Sequence, residues 1–66
     1  MFKITASEVQ EMDVLVTRSG NTIVISSETM ESPSGARITR LATREGLNAQ
    51  IESVVIPAHS TVHVLR

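Results

Sequence analysis

Val, Ile and Thr fill 21 of the 66 positions of this chain, against four Leu and five Ala. Side chains that branch at Cβ are stiff about χ1 and favour the pleated strand over the helix. They stand in short runs broken by turn residues, so the chain reads as all-β. At this length it forms one domain, residues 1–66, and buries only roughly 60% of the surface its unfolded form exposes. Domains with so thin a core lean on disulfides, a metal or a partner subunit. The chain has no cysteine, which excludes disulfides and thiolate metal sites and suits a reducing compartment. What remains is tight packing or self-association.

The order of elements follows from pattern and punctuation. Phe2-Lys3-Ile4-Thr5 alternates as an edge strand does. Residues 6–13 do not alternate; Ser7 and Gln10 hold capping-box spacing, which predicts a short helical turn near residues 7–12. Val14 to Arg18 and Thr22 to Ser27 flank Ser19-Gly20-Asn21, a hairpin. Ser32-Pro33-Ser34-Gly35 turns, Ala36 to Ala42 is a strand, and Leu47 to Val55 pairs back after Thr43-Arg44-Glu45-Gly46. Ile56-Pro57-Ala58-His59-Ser60 is expected to break the ladder, because proline has no N–H to donate. Thr61 to Leu65 closes the series with Val62 and Val64 on one face and His63 on the other. Five or six short antiparallel strands result. Their alternation assigns the core to Ile4, Val9, Val14, Val16, Ile23, Ile25, Ile38, Leu41, Ile51, Val54, Ile56, Val62 and Val64.

This layout of strand, irregular loop, two hairpins, proline-containing turn and closing strand resembles an SH3-like barrel. The stretch Val54-Val55-Ile56-Pro57-Ala58-His59-Ser60-Thr61-Val62 is similar to the break before the last strand of such barrels. The opening Lys3-Ile4-Thr5-Ala6-Ser7-Glu8-Val9-Gln10-Glu11-Met12-Asp13-Val14 resembles that of several short proteins of actinobacterial phages. Those carry glycine where this chain has Met12. Glycine there would allow a tight left-handed turn, which methionine resists. The resemblance implies a small barrel fold and a phage origin, and brings no catalytic residues with it.

The residues offer little chemistry of their own. His59 and His63 are the only histidines, and they fall across a turn and a strand with no cysteine to complete a metal site. None of the eight serines stands in a Gly-x-Ser-x-Gly elbow. Glu8, Glu11 and Asp13 share one loop, where solvation is the ordinary state of such acids. The three glycines are scattered, so no phosphate-cradling loop exists. The chain is expected to be no enzyme and to need no cofactor.

Charge and ring content bound the partners. Residues 1–33 carry a net −3 and residues 34–66 a net +2, giving −1 overall. The basic half contains Arg37, Arg40 and Arg44, a group able to hold an acidic patch, a phosphate-bearing ligand or only water. Arg40 and Arg44 share a strand parity and Arg37 does not. The chain has one Phe and no Trp or Tyr, which disfavours an aromatic-lined groove for proline-rich peptides and base-stacking platforms for single strands. Nucleic acid is therefore disfavoured as a partner. No apolar run reaches the length of a membrane span and Met1-Phe2-Lys3 opens no signal peptide, so the chain is expected to be cytoplasmic. The leading expectation is a protein-binding module, in keeping with a phage factor docked on a host protein. Its contacts would come from the arginines and from Met12, Met30 and Leu47, apolar residues expected in loops. The alternatives are a homo-oligomer that sequesters an anionic ligand such as a nucleotide, or a weak nucleic-acid binder through Arg37, Arg40 and Arg44.

Overall fold

The computed structural model describes residues 1–46 and 48–66. The chain is all-β. Strands β1 (Phe2–Thr5), β2 (Val14–Thr17), β3 (Gly20–Glu31), β4 (Arg37–Arg44), β5 (Glu52–Pro57) and β6 (Thr61–Leu65) form one antiparallel sheet in the order β1-β6-β2-β3-β4-β5. The hairpin of β2 and β3 and the closing strand lie where the pattern puts them. The three residues Ala58, His59 and Ser60 join β5, at one edge of the sheet, to β6, which lies between β1 and β2. So short a link across that span requires the sheet to curl. It curls without closing: among the described residues no ladder joins β5 to β1, so the expected barrel is not completed.

The helical turn is shorter and earlier than expected. A 3-10 turn covers Ala6–Glu8, and Thr5 rather than Ser7 caps it. The Glu8 carboxylate accepts from the Thr5 N–H at 3.1 Å and from the Thr5 hydroxyl at 2.8 Å. The next turn is closed by the Asp13 N–H donating to the Gln10 carbonyl. Met12 sits in it at φ 73°, the left-handed conformation that the resemblance associates with glycine. It is held there by its N–H, which donates to the Val24 carbonyl at 2.8 Å.

The core differs from the expected set in strand parity. Val9, Val24, Leu41 and Val64 are its buried centre, with Ile4, Leu15, Ile56 and Val62 packed against it. Ile23 and Ile25 are only half-buried, as are Val14 and Val16, while Val24 and Leu15 face inward. The cause is that Ile23-Val24-Ile25 and Val14-Leu15-Val16 are unbroken apolar runs, in which alternation has no phase to read. A bulge adds a second shift. Val24 pairs with Thr43 and Ser26 with Ala42, leaving Ile25 as the extra residue. Inward positions on β3 therefore pass from Val24 to Ser27 and Thr29. Thr29 and the fully buried Thr39 satisfy each other through their hydroxyls at 3.0 Å. Ile51 and Val54 are exposed, not core, and Ile38 is half-buried opposite Met30.

Two further boundaries move. β3 does not stop at Ser27 but runs on through Glu28 to Glu31. Pro57 does not break the ladder but ends β5 within it. The Ala58 N–H donates to the Arg37 carbonyl at 3.1 Å, which sets the phase of the β4–β5 ladder. Alternation from that bond turns the backbone groups of Ile56, Val54 and Glu52 toward β4 and those of Pro57, Val55 and Ser53 outward. The missing N–H of Pro57 therefore falls on the free edge, where no ladder bond is lost.

Candidate functional site

The inner surface of the sheet is covered at one end and open at the other. Ala6 and Val9, from the turn after β1, are buried, and the turn packs over β3 and β4. The open end arises where β2 and β6 part. These strands share only the pairs Val14–Leu65 and Leu15–Val64. Beyond them Val16 and Thr17 pair only with β3, and Val62 and His63 only with β1. The gap opens onto the inward residues of β4 and β5. It forms a groove of about 450 Å³ whose apolar lining is Leu15, Val16, Leu41, Val54, Ile56 and Val62.

One end of the groove is polar. Glu45 and Glu52 line it and also line an adjoining hollow of about 210 Å³ with Thr22, Thr43, Arg44 and Gln50. The Thr22 hydroxyl and the Arg44 Nε are buried there and have no hydrogen-bond partner among the described residues. Buried polar atoms are nearly always satisfied, and a hollow of this size has room for water or for a polar group of a ligand.

The residues singled out from the sequence do not gather. Arg37 and Arg40 lie on opposite faces of β4, opposite Glu31 and Glu28 respectively on β3. Arg44 shares the face of Arg40 but stands four residues along, about 13 Å away at strand rise, opposite Ile23. Three arginines so divided, two of them set against acids, present no common anion cradle. Met12 is 76% exposed in its turn and does not line the groove. Met30 is half-buried beside Ile38. Leu47 lies outside the described residues. The groove itself was not legible in the sequence, because the parting of β2 from β6 leaves no mark in residue pattern.

The acidic loop has a structural use. The Arg66 guanidinium grips Asp13 through Nε to Oδ1 and Nη2 to Oδ2, both at 3.1 Å, and also donates to the Glu8 carbonyl at 3.2 Å. The Gln10 N–H donates to Asp13 Oδ2 at 2.9 Å. The Arg66 hydrogen bonds hold the Asp13 carboxyl below its ordinary value against the opposing effect of burial, and the Gln10 N–H adds to the lowering. Bonds from Thr5 lower Glu8 in the same direction. Among the described residues no three His, Cys, Asp or Glu side chains assemble as a metal site, and no helix is long and apolar enough to cross a membrane.

No family model matches the chain, and no curated protein matches it.

Proposed function

We propose that this protein is a small binding module that takes an extended segment of another protein into the groove between β2 and β6. The observation that carries this reading is the groove itself. It combines an apolar floor with two strand margins whose backbone groups face the gap without a ladder partner. An entering strand satisfies such margins while its alternate side chains meet Leu15, Val54, Ile56 and Val62. Glu45 and Glu52 at the polar end favour a lysine or arginine on the entering segment. The chain's single aromatic residue, Phe2, does not line the groove, so apolar burial and backbone pairing supply recognition instead of ring stacking. The resemblance to short phage proteins supports a host protein as the source of the segment.

The test is selection from a displayed library of short random peptides on the folded chain. Enriched peptides are expected to alternate apolar residues and carry a basic residue near one end. Their binding should perturb the amide resonances of Leu15, Val16, Val62 and His63. Thr61→Arg, at an exposed groove position, should abolish it. Failure to enrich any sequence, or binding indifferent to Thr61→Arg, disproves the reading.

A further inference from the structure

We infer that the free edge of β5 is a self-association surface, on which a second copy of the chain adds its own β5 in antiparallel register. Edge strands of lone proteins are blunted by charge, bulges or cover. β5 is weakly defended. Val54 is 40% exposed and Val55 53%, the adjoining Ile51 is 59% exposed, and Glu52 is the only charge in the strand. Ser53 and Val55 each turn outward an N–H and a C=O with no backbone partner among the described residues, whereas Pro57 offers only its carbonyl.

That set is self-complementary. With the two-fold axis at Val54, Ser53 of each copy exchanges both backbone bonds with Val55 of the other. The Ile51 N–H then donates to the Pro57 carbonyl, the one role that proline keeps. Val54 meets Val54 on the groove side, and Ser53 meets Val55 on the other. Glu52 stands opposite Ile56, and the two Glu52 residues are about 13 Å apart along the strands, so no like charges oppose each other. A foreign strand needs to match both the lone charge and the missing donor, whereas a second copy matches them by symmetry. The thin core gives the same direction, since extending the sheet covers apolar residues that the chain alone leaves in water.

This inference does not rest on the peptide groove: the edge groups that pair belong to Ser53 and Val55, which do not line it, although Val54 at the axis does. The experiment is sedimentation of the full chain across a concentration series, beside Val55→Lys. A concentration-dependent dimer is expected, with its dissociation constant raised about tenfold or more by the edge lysine and the melting temperature of the dilute monomer little changed. The chain has no cysteine, so single cysteines report register. Val54→Cys faces itself at a non-hydrogen-bonded pair, where Cα atoms approach to about 4.5 Å, within reach of a disulfide. It should oxidise to a covalent dimer faster than Ser53→Cys or Val55→Cys. A monomer at every concentration, or any other order of cross-linking, overturns the proposal.

Discussion

Leu41 and Val54 are direct neighbours across the β4–β5 ladder and point to the same side of the sheet, yet Leu41 is fully buried and Val54 is 40% exposed. Hydrophobicity and strand position do not separate them. What separates them is the covering layer. The turn after β1 brings Ala6 and Val9 over β3 and β4, while the inner side of β5 meets only the gap left by the parting of β2 and β6. In a sheet this small, burial is decided by a few residues of loop.

The sharpest way to break that contrast is Leu41→Ala. It should cost about 2–5 kcal/mol, most of the stability of a domain this size, and chemical denaturation measures it. Asp13→Ala comes next. It removes the acceptor that holds the Gln10 N–H and the Arg66 guanidinium, with an expected loss of about 1–3 kcal/mol. Hydrogen exchange should then rise first in residues 6–13, exposing the layer over Leu41. A smaller change in the opposite direction is expected from Met12→Gly. Relief of a left-handed conformation that disfavours L side chains outweighs the added freedom of the unfolded glycine, for a net gain of about 0.5–1 kcal/mol in melting experiments. Smallest is Val54→Ala, whose effect on monomer stability should stay below about 1 kcal/mol.

Acidification probes the same latch. Asp13 and Glu8 both have carboxyls lowered in the folded chain, so the unfolded chain binds protons first as pH falls. Their contribution is fully present above the unfolded values of 3.8 for Asp and 4.5 for Glu. It is lost progressively as pH drops below them and through the folded values. Arg66→Ala should flatten this acid limb of the stability profile, measured by urea titration at several pH values.

Much of the architecture was legible from residue pattern. β-branching and turn residues identified the strands, and Val62 and Val64 stand inward on β6 as the alternation of that strand required. The failures have one physical source. Where apolar residues run without interruption, as at Val14-Leu15-Val16 and Ile23-Val24-Ile25, the neighbouring strand and the bulge choose the buried face. Pro57 was misjudged because the cost of its missing N–H depends on which side of the strand it faces, and that follows from the Ala58–Arg37 bond. The candidate contacts were legible only as residue types. Strand parity was enough to part Arg37 from Arg40, but only the β3–β4 register showed each of them set against a glutamate.

The position of β6 between β1 and β2 also governs when the molecule can form. While the ribosome is still extruding the stretch through Ser60, only the meander of β2 to β5 has its partners in hand; β1 has none until Thr61 to Leu65 emerge. Until Thr61 to Leu65 dock, β1 therefore lacks its ladder partner and the core lacks Val64.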